Sequence, residues 1–264
     1  MHIVKRELRS NLKSLVIWSV IMIIFIVLMV SEFSAYYDNP DMADILDSMP
    51  EGLMKAFSLE GSNLTTPSGF IGVASVYFYL MLSFFAILLG SNIIAKEERD
   101  KTAEYFLSMP ISRKEVIISK WIASIIHCLL ITSVTGVTLL LSMMPYDLTG
   151  DFYKFIGLLL LALFMLEMIF LSLGMLIASS FKRYNHSSKL SAVLVMVFYI
   201  LSVLSTLTDK LSFINYVSPF KYFETSQFMV TLALPMKFMV LSVGIVFFSM
   251  IATLIIYPKR DLNL

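Results

Sequence analysis

Hydrophobic and polar positions along the chain fall into long blocks rather than alternating residue by residue. Six apolar runs stand out, at about 15–33, 70–95, 116–143, 155–180, 190–207 and 236–257. Each is close to or above the roughly 20 residues that a helix needs to cross a hydrocarbon core. Between the second and third runs lies a charged island, KEERDKTAEYFLSMPISRKEVIISK, from Lys96 to Lys120. Such an island must sit in water, which divides the flanking runs into separate spans. Within it, Ala103 to Met109 is a short helical candidate, with Thr102 as N-cap and Pro110 ending it. Ser112 followed three residues later by Glu115 predicts a capping box that starts the third span. The short helix mixes Glu104 with Tyr105, Phe106 and Leu107, and apolar side chains turned away from lipid call for a protein partner.

The remaining polar segments set the topology. Residues 1–14 carry Lys5, Arg6, Arg9 and Lys13, while Ile3, Val4, Leu8, Leu12 and Leu15 form one apolar stripe at helical spacing. This predicts an N-terminal helix lying in the membrane interface, its cations against anionic headgroups. A plain basic flank without a distinct helix fits the same residues. The run from Leu15 to Phe33 is too long for a signal-peptide core and lacks small residues spaced for cleavage. Between the first two spans, Asp38, Asp41, Asp44, Asp47, Glu51 and Glu60 face one cation, Lys55. Their three-residue spacing reads as a solvated helix face, because a calcium site needs ligands converging in one loop. Asn63-Leu64-Thr65 matches a glycosylation tripeptide, a pattern common by chance. Thr66 is placed to cap the second span, with Pro67 at its first position.

Inside the spans, Lys120 is expected to snorkel to the inner surface. His127 and Cys128 are adjacent on a helix, point in different directions and make a poor metal pair. Glu167 lies near the middle of the fourth span, where an acidic group costs about 2.5–3.5 kcal/mol to insert. It must face protein or water. Two readings stay open, a polar point on a translocation path or dimer interface, and a protonated carboxyl hydrogen-bonded inside the bundle. Residues 208–234 are too polar to span and rich in aromatics, including Phe213, Tyr216, Phe220, Tyr222, Phe223 and Phe228. Ser218 as cap with Pro219 at the first position predicts a short helix there, at the outer interface.

Lys and Arg cluster at 5–13, 96–114, 182–189 and 259–260, against scattered Lys55, Lys154, Lys210, Lys221 and Lys237 on the other side. By the positive-inside rule both termini are cytoplasmic. Composition agrees. With 58% apolar and 15% charged residues and a mean hydropathy of +0.83, the chain has too little polar surface to cover a soluble globule. The expectation is an all-α integral membrane protein forming one transmembrane domain over residues 1–264. Its net charge of +1 is distributed by topology and forms no nucleic-acid groove. Cys128 is the only cysteine, which rules out an intrachain disulfide. No glycine is followed by lysine, so the chain has no P-loop to cradle phosphates.

The charged island resembles the membrane subunits of type-2 ABC exporters, whose fold is also described as ABCG-like or type V. In that family the loop between the second and third spans carries a glutamate, then Thr with Leu or Ala and Glu, then Pro-[Ile/Val]-Ser-Arg and a later Lys. Glu97, Glu98, Thr102, Ala103, Glu104, Pro110, Ile111, Ser112, Arg113 and Lys120 match it, while Lys101 stands where the family often has glycine. The resemblance implies a cytoplasmic coupling helix at Thr102 to Leu107, including Tyr105 and Phe106, docked on a separate ATP-binding subunit. It also implies short external re-entrant helices with Pro219, Phe220, Tyr222 and Phe223 at an external gate. Two six-span subunits, identical or related, would join two ATP-binding subunits that hold ATP and magnesium, with no cofactor on this chain. Membrane lipids are the other partner, and a bacterial cell membrane the expected location.

Family habit suggests a peptide, an antibiotic or another amphipathic molecule as cargo. The scattered methionines, among them Met81, Met143, Met165, Met168, Met175 and Met196, suit a pliable lining for such cargo, but the commoner role of methionine is to fill gaps in a core. Two other classes share the topology. An intramembrane enzyme needs converging titratable groups, whereas His2, His127 and His186 fall on a tail, a span and a loop. A non-transporting scaffold or sensor needs no ATPase contact.

Overall fold

A computed structural model describes residues 2–39, 48, 63–99, 112–181, 184–207 and 213–259. The regular elements among them are helical. Six are long, α1 (His2–Phe33), α2 (Pro67–Arg99), α3 (Arg113–Met143), α4 (Gly150–Ser180), α5 (Tyr184–Leu207) and α8 (Met236–Ile256). Between α5 and α8 come α6 (Ile214–Val217), a 3-10 turn (Pro219–Lys221) and α7 (Thr225–Thr231). All six long helices are apolar enough to cross a membrane. Hydrocarbon offers no hydrogen-bond partners, so a helix, which satisfies its own backbone, is the stable form for such segments. The fold is that of an all-α integral membrane protein, as the apolar blocks predict.

Local signals start the spans where expected. The Thr66 hydroxyl accepts a hydrogen bond from the Gly69 N–H at 3.2 Å, with Pro67 as the first helical residue of α2. At α3 the capping box is complete, the Glu115 N–H donating to Ser112 Oγ at 3.2 Å and the Ser112 N–H to Glu115 Oε2 at 3.4 Å. α4 starts earlier than the apolar run beginning near 155 suggests, at Gly150, where the Thr149 hydroxyl caps it through the Phe152 N–H.

The N-terminus differs from expectation. No separate interfacial helix precedes the first span, because α1 is a single helix of 32 residues. At 1.5 Å per residue it is about 48 Å long, more than a whole bilayer with its headgroups. Its buried side is also rotated from the anticipated stripe. Glu7, Leu15, Met22, Ile26, Val30 and Phe33 face the bundle, whereas Leu12 is half exposed and Ile3, Val4 and Leu8 are only partly covered. The buried face starts at an acid and continues in register to the far end of the helix.

α2 and α4 form the centre. Their crossing is set by two glycines. A Cβ on Gly90 would lie 2.3 Å from the Leu171 carbonyl oxygen, and one on Gly174 would lie 2.3 Å from that of Ile87. Only hydrogen side chains let the two backbones approach this closely, the small-residue packing of membrane helices. α1 packs on α3, α5 on α2, and α8 on α4. α2 is the most buried span, and α5 and α8 the least.

The antiparallel order gathers the chain into two chemically different ends. A basic end holds residues 2–13, the close of α2, the start of α3 and α5, and Tyr257–Lys259. The opposite end is aromatic, with Phe33 packed on Phe70 and Tyr146 at 4.7 Å between ring centroids in each case, and Tyr37 on Tyr146 at 4.9 Å.

Candidate functional site

The segment that the sequence singles out, 100–111, leaves from the last turn of α2 and returns at Ser112. Glu97 and Glu98 fall in that last turn, Glu98 half-buried. Thr102, Ala103, Glu104, Tyr105, Phe106 and Leu107 lie outside the described residues. The two feet of the segment are described, and both are held.

Arg113, the first residue of α3, donates from Nη1 to the Pro258 carbonyl oxygen at 3.0 Å, tying that foot to the end of the last span. Two turns further in, Lys120 corrects an expectation. It does not snorkel to the surface but is fully buried, donating from Nζ to the Ile93 carbonyl oxygen of α2 at 2.5 Å. The bundle itself supplies its partners, which removes the need to reach water. Its ammonium also lies 3.7 Å from Glu7 Oε1, and Lys96, at the end of α2, lies 3.7 Å from Glu7 Oε2. Arg6 donates to Glu7 Oε1 at 2.8 Å, and Lys96 donates to the Ser10 hydroxyl. A single buried carboxylate thus faces cations from α2 and α3 at once.

Sequence reasoning missed Glu7. The available signal was that it is the sole acid among Lys5, Arg6, Arg9 and Lys13, four-residue steps before Asn11 and Leu15 on one helical face. The rest of this end is sewn by hydroxyls. Ser188 Oγ of α5 donates to Asn92 Oδ1 of α2 at 3.1 Å, and Ser91 Oγ reaches Ser187 Oγ and Ser188 Oγ at 3.4 Å.

In mid-bundle, Glu167 has no exposed surface. The Thr132 hydroxyl of α3 donates to its Oε2 at 2.9 Å, and the buried Cys128 lies beside it. In this conformation the carboxyl faces the interior of one subunit rather than lipid or a subunit surface. His127, one position from Cys128, is buried on the face shared with Lys120 and Ser124.

At the aromatic end the short elements fold back onto the spans. Phe220 packs on Phe170 of α4 at 5.2 Å and on Tyr199 of α5 at 5.8 Å. Tyr222 stacks on Phe238 of α8 at 5.1 Å and donates its hydroxyl to the Tyr216 carbonyl oxygen at 2.7 Å. Burial pushes its phenol up to about 12. Phe223 is buried edge-on to Tyr222, and Pro219 is buried at the head of the 3-10 turn. α7 is fastened to α2 by the Thr225 and Ser75 hydroxyls, 2.6 Å apart. Ser218 stands before Pro219 as predicted but does not cap the turn. Its hydroxyl donates instead to the Phe198 carbonyl oxygen of α5 at 2.8 Å, an interhelical partner that no local pattern reveals. Pro219, Phe220, Tyr222 and Phe223 thus form one packed stretch, in which Phe220 reaches Phe170, one helical turn from Glu167, and Tyr222 reaches Phe238 near the start of α8.

Six apolar spans around a glycine crossing, with one end basic and the other aromatic, define a multi-pass membrane protein. The family model for ABC-2 family transporter proteins matches residues 1–262. The chain belongs to that family, and it is a membrane permease component of an ABC transporter, a class that works with an ATP-binding partner. No individual curated protein matches it.

Proposed function

We propose that this chain is the permease subunit of an ATP-driven exporter, with residues 102–107 as the coupling helix and Glu97, Glu98 and Arg113 at its feet. The observation that carries the reading is the anchoring of those feet. A segment that receives a push from a partner must not slide along its own helices. Here Arg113 is tied to Pro258, and Lys96 and Lys120 share Glu7. The basic end faces the cytoplasm by the positive-inside rule, which puts both termini there and the aromatic layer outside.

Two such subunits, identical or paired with a related chain, enclose the path. ATP and magnesium reside on two separate ATP-binding subunits. ATP-driven closure alters the relative stability of inward- and outward-open states, and the coupling helix carries that bias into the spans. Pro219, Phe220, Tyr222 and Phe223 form the external gate, and Glu167 is the polar point deep in the bundle. Cargo is an amphipathic molecule such as a peptide or an antibiotic, exported from a bacterial cell membrane.

The test is capture of the chain from its native membrane in mild detergent, with partners identified by mass spectrometry and ATP hydrolysis assayed. Stoichiometric recovery of a P-loop ATPase is expected, lost when residues 102–107 are scrambled and weakened by Glu104→Lys or Phe106→Asp. Recovery that is indifferent to those changes would refute the coupling assignment.

A further inference from the structure

α1 belongs to neither foot of the 100–111 segment, yet it supplies the buried acid that both feet share. Glu7 is fully buried, with Lys120 of α3 at 3.7 Å from one oxygen and Lys96 of α2 at 3.7 Å from the other. Lys120 at the same time donates to the Ile93 carbonyl oxygen of α2, so the three helices meet at one node. Desolvating such a cluster is costly, and apolar residues of similar volume commonly serve stability as well or better. What the ionic cluster adds is register, because a carboxylate between two ammonium groups fixes how far each helix can slide. From Glu7, α1 runs unbroken to Phe33, which packs on Phe70 of α2 and on Tyr146 in the turn after α3. At 1.5 Å per residue that is about 39 Å of rigid rod from the charged node to the aromatic layer.

We infer that Glu7 is a positioning residue that couples α1 to both feet of the 100–111 segment, so that a displacement of that segment moves α1 as a unit and arrives at the aromatic end through Phe33. The inference rests on the reading of residues 102–107 as the coupling helix. Glu7 touches neither nucleotide nor cargo; Arg6, which also donates to its Oε1, lies on α1 itself, so Glu7 reaches the other helices through Lys96 and Lys120. Its loss therefore leaves docking of the ATP-binding subunit intact while uncoupling the motion.

The experiment uses the captured complex with its ATPase, reconstituted in lipid nanodiscs. Spin labels replace the exposed Lys13 of α1 and Ile118 of α3 in a Cys128→Ser background, and interlabel distances are read without nucleotide and after vanadate trapping. With Glu7 present, the distance is expected to be the same in both states. In Glu7→Gln it broadens and shifts on trapping, while kcat for ATP falls by at least about fivefold, at the low end of typical coupling strengths, and KM and ATPase recovery stay unchanged. Glu7→Lys is worse, and Glu7→Lys with Lys120→Glu, which restores one acid among the same number of cations with Arg6 and Lys96 kept, recovers kcat. Should Glu7→Gln fail to assemble, Lys96→Gln removes one arm only and must show the same broadening. Unchanged kcat and unchanged distances in Glu7→Gln, or no recovery in the swapped pair, would overturn the inference. Scrambling residues 102–107 separates the two ideas. If that variant keeps its ATPase, the coupling reading has failed; if it loses the ATPase while Glu7→Gln behaves as wild type, only the role of Glu7 has.

Discussion

The glycine crossing of α2 and α4 is the feature whose perturbation can be worked most directly from geometry. Gly90→Ala puts a methyl carbon 2.3 Å from the Leu171 carbonyl oxygen, and Gly174→Ala does the same against Ile87. Ordinary van der Waals contact begins at 3.4 Å. The shortfall of about 1 Å is met by backbone, not by the end of a flexible side chain, so the two helices must part. Overpacking of this kind costs about 1–3 kcal/mol. Opening a packed seam by up to about 1 Å also forfeits a quarter to a half of each contact's attraction along it. Together these place each single substitution at about 2–3 kcal/mol of lost stability. Because both methyls are relieved by the same separation, the double variant is expected to cost little more than one alone, well short of the sum. Gly157, on α4 with open space where its Cβ would be, supplies the control, and Gly157→Ala should be neutral or slightly stabilising. The assay is reversible unfolding in mixed micelles of increasing denaturing detergent, followed by fluorescence of Trp18 and Trp121. A wild-type midpoint for Gly90→Ala, or strict additivity of the pair, would refute the reasoning.

Two further outcomes follow from buried partners. Thr132→Val takes the hydroxyl donor from Glu167 Oε2 and should cost about 1–3 kcal/mol in the same unfolding assay. Glu167→Gln keeps an oxygen for that donor and should remain close to wild type, so equal losses from the two changes would show that the carboxyl is held by something else. Tyr222→Phe removes only the hydroxyl bond to the Tyr216 carbonyl and should cost about 1 kcal/mol. Tyr222→Ala also forfeits the stack on Phe238 and should cost about 3–5 kcal/mol. A Phe variant as damaged as the Ala variant would mean that the ring contact contributes nothing.

What the sequence determined by itself was everything fixed by length and by neighbours within four residues. Six apolar blocks of bilayer length could form nothing but spanning helices, and their order follows from the charged segments between them. The Ser112–Glu115 box and the Thr66–Pro67 start were legible because a cap is completed inside one turn. Only the tertiary structure decided which polar side chains inside those blocks would be paired, and with what. Lys120 read as a snorkelling residue because its distance to water was visible and its distance to Glu7, 113 positions away, was not. Ser218 read as a cap for the same reason, its true acceptor lying on α5. The close approach of α2 and α4 at Gly90 and Gly174 also depended on neighbours from remote parts of the chain. Hydropathy and capping are properties of a segment and its solvent. Register, ion pairing and close backbone approach are properties of two surfaces at once, and they exist only when both have been brought together.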